Sequence, residues 1–501
     1  MKFRFSFPVL DSLTRNIYAL GIITLVLAAI SYFVSPHLPF VLLLTFLMLL
    51  AFKLDMPVSR QILLSPSVLF LAHTWIRLGL GMLFLATTLE AHESSGFLLS
   101  QIGGLVFFVF AIIGIKVSGI SRRQIYFPLN NHDFKHEVLR PLTYLGFFCI
   151  CYVSLSTFVA LASGVGDRGF AGADAGGGIG AFSLWTPLSA MHRFRAVAFI
   201  LVPLMMRSRI PVIALMVPFL AGGSLFLSLI NGDRGYVMWS ILAIAFGYYL
   251  FTDRPRIRIE RAAIFLAPIF AVFIFVVGIF RSTDAFIESR ALDIGARVEA
   301  FAEVKEAIDQ KAAESQFYGW HNSAVEEVAK RLYGGFDHLI FSMTPRVFPH
   351  AWFDGFSAMP HVWLPYSLFG MRERAAAMAD GYFIASTYRG SYGDGRTRYG
   401  ISMNADLYRR FGWFGMPIAA MLLGFMYGIY WKIGLYIYYH KSAFLGTLFI
   451  LLMFTLFFGK THTTIMSSWK IFAYDIPKHM IMALPLWFLF RNSSRPALAY
   501  R

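Results

Sequence analysis

The sequence has few charged residues. Asp, Glu, Lys and Arg make up 14% of its 501 residues, whereas about a quarter is usual in a soluble domain. Hydrophobic residues account for 57% of the chain and aromatic residues for 17%. This composition argues against a soluble protein. It predicts an all-α integral membrane protein, because helices satisfy their own backbone hydrogen bonds inside a bilayer.

Cysteine is also scarce, and the usual cofactor and nucleophile motifs are missing. Cys149 and Cys151 are two residues apart, whereas neighbours on a helix face are three or four apart, so we predict no disulfide between them. There is no phosphate-binding P-loop, no dinucleotide-binding pattern and no nucleophile elbow. His462 lies among threonines without a second metal-binding side chain nearby, so we predict no metal and no cofactor.

Long apolar runs dominate the remainder of the chain. About twelve are long enough to be counted as membrane spans, which need about 20 residues each, although the second run is short. The runs cover residues 17–34, 39–53, 62–88, 98–116, 142–163, 183–206, 211–230, 235–251, 262–280, 412–436, 442–458 and 473–490.

The distribution of Lys and Arg over the short turns predicts an orientation. Basic residues gather in alternate turns, such as Arg122 and Arg123 after the fourth run, whereas the turns "SPHLPF" and "LEAHESS" contain none. Because cytoplasmic turns collect Lys and Arg, both termini are predicted on the cytoplasmic side of the membrane. The net charge of +16 then reflects orientation in the membrane, and no nucleic acid is predicted as a partner.

One long segment between the spans does not resemble a membrane helix. We predict an N-terminal bundle of about nine spans over residues 1–280, an outer loop over 281–410, and about three further spans over 411–501. The outer loop contains two amphipathic patterns followed by stretches rich in aromatic residues and proline. It is therefore predicted to fold as a helical extracytoplasmic cap, since flexible linkers are richer in Gly, Ser and charge.

Several arginines fall within or at the outer ends of the predicted spans, and others lie in the loop. A guanidinium group keeps its charge and offers a rigid fork of donors, so a group of them suits a phosphate anion. The alternative is that each arginine pairs with a carboxylate or a helix end for structural reasons. The predicted anion ligands are Arg77, Arg193, Arg195, Arg234, Arg281, Arg389, Arg396 and Arg398.

Carboxylates near the end of the loop are candidates for a general base. Asp406 directly precedes the tenth span, and Asp380 and Glu373 lie further upstream. A base must come within hydrogen-bond reach of the proton it removes, and sequence alone does not give that distance. The loop histidines remain alternatives for the same role.

Two stretches resemble the bacterial O-antigen or oligosaccharide repeat-unit polymerases of the Wzy type. They are "NGDRGYVMWSILAIAFGYYLF", where a small turn with Arg234 opens a span, and "YGISMNADLYRRFGWFGMPIAAMLLGFMYGIYW". The resemblance implies a GT-C-like polymerase–ligase architecture, with a large outer loop before a late helix. It also implies a metal-independent glycosyltransferase that joins undecaprenyl-pyrophosphate-linked repeat units at the outer face of the bacterial inner membrane.

Residues and resemblance together predict roles for individual side chains. Arg193, Arg195, Arg234 and Arg281 would grip the donor pyrophosphate, and Asp406 or another loop group would take the acceptor proton. Sugars would be held by three aromatic side chains of the cap, namely Trp352, Trp363 and Tyr366.

The predicted partners are membrane lipids, the lipid-linked glycan, a chain-length regulator and a flippase. Three other functions stay open: a ligase that moves finished glycan onto lipid A or protein, a transporter or flippase of lipid-linked glycan, and a membrane scaffold.

Overall fold

The described part of the chain is helical, with no strand in it. The computed structural model describes residues 16–55, 75, 91–119, 127–162, 195–230, 234–252, 341, 352–353, 402–458, 465, 468, 472 and 476–490. The main helices are α1 (Ile17–Ser31), α2 (Leu38–Asp55), α3 (Ala91–Val117), α4 (Arg140–Ala162), α5 (Arg195–Met206), α6 (Pro211–Ile230), α7 (Arg234–Leu250), α8 (Met403–His440), α9 (Ala443–Phe458) and α10 (Ile476–Phe490). A short helix, His132–Phe134, and a π-helical turn, Lys135–Leu139, lead into α4.

These helices follow the apolar runs of the sequence. Within the described ranges, four helical stretches are long and apolar enough to cross a membrane: Gly96–Val117, His132–Leu155, Pro211–Leu229 and Met403–His440. The described helices are therefore compatible with an all-α membrane protein. The total of about twelve spans stays a prediction. The predicted boundary between the loop and the last spans, at residue 410, falls inside α8, which already begins at Met403.

The chain divides into two compact units. The first contains residues 1–126, 329–436 and 453–478, and the second contains residues 127–328, 437–452 and 479–501. Both units include residues from the N-terminal and the C-terminal helices, and the three segments predicted from the sequence stay a prediction.

In the first unit, helices α3 and α8 pack with their backbones in contact. A Cβ atom at Gly114 would overlap the carbonyl oxygen of Met421, and a Cβ at Gly424 would overlap the carbonyl of Ala111. Gly428, one turn further along, lies against Ser118. Small residues spaced in this way allow helices to approach closely in a membrane, where lipid competes for every apolar side chain.

The second unit has its own close contacts. Gly247 of α7 lies against the carbonyl of Ile200 in α5, so that a Cβ there would also overlap backbone. The Phe127 ring stacks on that of Phe251, with centroids 6.3 Å apart and planes 9° apart, and it meets Tyr438 edge-on at 5.7 Å. These rings fill the end of the unit where α7 and α8 both finish.

Apolar side chains cover the outer surface of several helices. Tyr18 of α1 is 87% exposed and Phe219 of α6 is 74% exposed. Both helices are almost wholly apolar, so the surface that they expose is apolar as well. In water such surfaces would be unfavourable, whereas lipid chains cover them at no cost.

Candidate functional site

Helix α8 is interrupted near its start. Gly412 has φ 62° and ψ −169°, a conformation that separates a short segment, Met403–Phe411, from the long apolar remainder of the helix. This backbone region is accessible essentially only to glycine, because a Cβ atom would be strained there. A turn of charged and polar residues is thereby set at an angle to the part of α8 that is long enough to span a membrane.

The short segment places a carboxylate in the interior of the first unit. Asp406 has no exposed surface. Its Oδ1 accepts hydrogen bonds from the Arg409 guanidinium at 2.8 Å and from Nε of Arg410 at 3.1 Å. Its Oδ2 accepts from the backbone N–H of Ile465 at 2.9 Å. Both oxygens are thus directed at protein donors.

The two arginines are buried almost as completely as the carboxylate. Their side chains are 5% and 1% exposed for Arg409 and Arg410. Arg410 also donates from its guanidinium to the carbonyl of Trp352 at 3.2 Å, and the Trp352 N–H donates to the Arg410 carbonyl at 3.1 Å. This reciprocal pair fixes a piece of the predicted outer loop to the short segment of α8.

Trp352 is held in an unusual conformation by these bonds. Its φ is 38°, the left-handed region that a bulky residue rarely adopts. Its side chain is nevertheless 57% exposed and meets the Phe411 ring edge-on at 6.4 Å, while the neighbouring Phe353 is 65% exposed. Strained backbone persists only where surrounding contacts enforce it, and such positions cluster at functional sites.

The charges of this cluster are costly to bury. Asp406, Arg409 and Arg410, which we call the Asp406 cluster, carry one more positive than negative charge. Taking charges out of water costs several kcal/mol for each ion, roughly, and hydrogen bonds within the cluster offset part of this cost. Buried charged groups of this kind are candidates for a functional site. Guanidinium groups suit phosphate and carboxylate anions.

A buried amide belongs to the same short segment of α8 as the cluster. Ser402 donates its hydroxyl hydrogen to Oδ1 of Asn404, whose residue is 5% exposed. The amide nitrogen of Asn404 is buried and has no hydrogen-bond partner within the described ranges. The oxygen of this side chain is therefore satisfied and its nitrogen is not.

The cluster joins segments that lie far apart along the chain. Asp406, Ile465 and Trp352 meet there through hydrogen bonds. Elsewhere in the first unit, His37 and Gln101 are joined by a 2.9 Å hydrogen bond. The alternation of the chain across the membrane and the side on which the termini lie stay predictions.

The structure places few of the predicted site residues. Asp406 and Trp352 lie in the cluster just described, joined through Arg410. Arg195 begins α5 and Arg234 begins α7, and their side chains lie outside what is described. The remaining predicted residues fall outside the described ranges: Arg77, Arg193, Arg281, Arg389, Arg396, Arg398, Asp380, Glu373, Trp363 and Tyr366.

Arg409 and Arg410 were not among the predicted site residues. Their positions three and four residues after Asp406 are the spacing at which helical side chains meet, so the pattern was present in the sequence. Their contacts with Ile465 and Trp352 are not visible in a linear reading, because these partners lie far away along the chain.

The surroundings of Asp406 bear on its predicted role as a general base. A base must reach the acceptor hydroxyl, and here both oxygens of Asp406 are turned to protein donors. The observed contacts favour a positioning role, in which Asp406 holds two arginines in place. The role of base stays a prediction for Asp406, Asp380 and Glu373.

Comparison with known proteins adds no relative. No family model matches the chain, and neither a curated protein nor a solved structure matches it. Among the described residues, no group of three or more His, Cys, Asp or Glu side chains could hold a metal ion.

Proposed function

We propose that this protein is a glycosyltransferase that polymerises lipid-linked oligosaccharide repeat units at the outer face of the bacterial inner membrane. The observation that carries the proposal is the Asp406 cluster, a buried pair of arginines fixed by one carboxylate beside an interruption in a helix of spanning length. Its guanidinium groups suit an anionic ligand, and the long apolar helix that follows suits one attached to a lipid. One of the two stretches that resemble Wzy-type polymerases contains this cluster.

In the proposed reaction, the acceptor hydroxyl oxygen bonds to the anomeric carbon of the donor glycan. The bond from that carbon to the lipid pyrophosphate breaks, and the pyrophosphate leaves with the electron pair. Arg409 and Arg410 stabilise the negative charge that develops on the leaving group, an effect that is often the largest in catalysis. Arg234 keeps its predicted role as a pyrophosphate ligand.

Asp406 and the aromatic residues have supporting roles in this proposal. Asp406 orients the arginines, so the hydroxyl proton passes to another carboxylate of the outer loop, with Asp380 and Glu373 as the candidates. Trp352 presents an exposed ring next to the arginines, where it can pack against a sugar face. Positive charge at the leaving group is supplied by guanidinium groups.

A strain that lacks the gene tests the proposal. We expect its glycan to carry one repeat unit in place of a long ladder on gels, and the wild-type gene to restore the ladder. Arg410→Gln should not restore it. Arg207→Gln is the matched control, because Arg207 is exposed, donates to the Phe251 carbonyl at 3.4 Å and lies over the Tyr248 ring at 5.7 Å, away from the Asp406 cluster in sequence. This variant should restore the ladder fully. A normal ladder in the deletion strain would refute the polymerase, and complete loss of surface attachment would indicate a ligase.

The interruption at Gly412 also favours a second candidate, a transporter of lipid-linked glycan. Transporters bind substrates at discontinuous helices whose broken ends carry polar groups. The purified protein in vesicles distinguishes the two, because a transporter would move labelled lipid-linked units between leaflets without lengthening them.

A further inference from the structure

We infer that the side-chain amide of Asn404 is a ligand-binding group that donates hydrogen bonds to a phosphoryl oxygen of the substrate. The inference rests on the proposed function, since it assigns a recognition residue within the same site. Nothing in the sequence singled out this amide as a ligand, and its neighbours in the structure make the assignment.

The first step is the orientation of the amide. Ser402 donates to the Oδ1 atom of Asn404, so the oxygen end of the amide faces the serine and the nitrogen end faces away from it. An amide that rotated freely could place either end toward a neighbour. Here only the nitrogen, the donor end of the amide, is left to bind a further acceptor.

The second step is the cost of that arrangement. The Asn404 nitrogen is buried and has no partner among the described residues. A buried donor without an acceptor costs about 1–3 kcal/mol, and native proteins contain few of them. An apolar side chain would avoid this cost at the same position, so the amide is expected to meet an acceptor in another state of the protein.

The third step is the electrostatic surroundings of the amide. Asn404 lies in the first turn of α8, where backbone N–H groups and the helix dipole favour negative charge. A neutral acceptor would use only the amide, whereas a phosphoryl group, with several anionic oxygens, would use the amide and the backbone N–H groups of the first turn together.

The ligand is therefore a phosphoryl group, and it has two sources: a polyprenyl pyrophosphate or a free pyrophosphate. Titration of the purified full-length protein with farnesyl pyrophosphate and with inorganic pyrophosphate distinguishes them. A hydrogen bond to a charged group is worth about 1.5–3 kcal/mol, so Asn404→Ala should weaken binding by about 10- to 100-fold.

Two further variants make the test specific. Asn404→Asp keeps the oxygen that Ser402 binds and replaces the donor by an anionic oxygen, so it should weaken binding at least as much as Asn404→Ala. Gln101→Leu is the matched control, because Gln101 is another buried amide whose oxygen has a partner, His37, and whose nitrogen has none within the described ranges. It should bind both probes as the wild type does.

The outcomes separate cleanly. Weaker binding of farnesyl pyrophosphate alone supports a lipid-linked phosphate, and weaker binding of both probes supports recognition of the phosphates themselves. Unchanged affinity in Asn404→Ala and Asn404→Asp, no binding by the wild type, or equal weakening in Gln101→Leu would each overturn the assignment. A wild-type protein that still makes polymer in that case would leave the proposed function standing, whereas failure of the wild type to polymerise counts against the function itself.

Discussion

Replacing Asp406 by Asn should destabilise the protein far more than an ordinary change of charge. The carboxylate accepts two hydrogen bonds from guanidinium groups and one from the Ile465 backbone, and it has no exposed surface. Asparagine has nearly the same size, so packing is kept. It removes the negative charge that Arg409 and Arg410 share and turns an amide donor toward other donors.

The size of the expected loss in stability follows from the buried arginine charges that remain when the carboxylate is removed. Removing one partner of a buried ion pair costs about 3–5 kcal/mol, because the remaining charge is buried without compensation. We expect a loss of this size in the free energy of unfolding, measured by titration with sodium dodecyl sulfate in mixed micelles. Loss of the carboxylate should also release Arg410 from its fixed position and weaken the attachment of Trp352.

Asp133→Asn provides the matched control. Asp133 is 62% exposed and lies 3.7 Å from His132, so the same chemical change should alter the free energy of unfolding by no more than about 0.5 kcal/mol. Adding Arg409→Gln to Asp406→Asn should recover part of the loss, with a coupling of about 1–3 kcal/mol. A loss below about 1 kcal/mol in Asp406→Asn, or no coupling with Arg409, would refute the buried ion pair.

Three further variants test other parts of the account. Gly114→Ala should lower the free energy of unfolding by about 1–3 kcal/mol or more, because its Cβ would overlap backbone of α8. Gly222→Ala is the control and should leave the free energy of unfolding unchanged, because nothing lies within 4 Å of a Cβ there. Equal effects of the two variants would contradict the close packing of α3 and α8. Gly412→Ala should lower the free energy of unfolding by about 1–3 kcal/mol and reduce activity, because the conformation at Gly412 is strained for any residue with a Cβ. A Gly412→Ala protein with the stability and activity of the wild type would argue against the interruption of α8. Arg234→Ala should abolish polymer formation from lipid-linked units, and polymer made at the wild-type rate would exclude Arg234 from the site.

The boundaries of the apolar helices were predictable where polar residues end an apolar run. Helix α6 covers residues 211–230, as predicted, because Arg209 precedes it and Asn231 and Gly232 follow it. Helix α8 shows where this reasoning stops. The apolar run predicts a start at residue 412, but the helix begins at Met403, since the polar residues before Gly412 are buried together with partners of their own.

The site was predictable only in part. Asp406 and Trp352 were predicted as candidate site residues from composition and position, and the spacing of Arg409 and Arg410 after Asp406 would have indicated a shared helix face. The partners of the cluster could not be predicted from the sequence, because the Ile465 N–H and the Trp352 carbonyl are backbone groups and such groups recur along the whole chain. Likewise, the unsatisfied nitrogen of Asn404 is a property of the folded environment and leaves no mark in the sequence.

The most direct test of the account supplies the purified protein in liposomes with lipid-linked repeat units extracted from the deletion strain. The account predicts a ladder of longer glycans on the lipid carrier, formed with release of the polyprenyl pyrophosphate, and no ladder from the Arg410→Gln protein. Units that stay single in the presence of folded wild-type protein would contradict it, as would an equal ladder from both proteins.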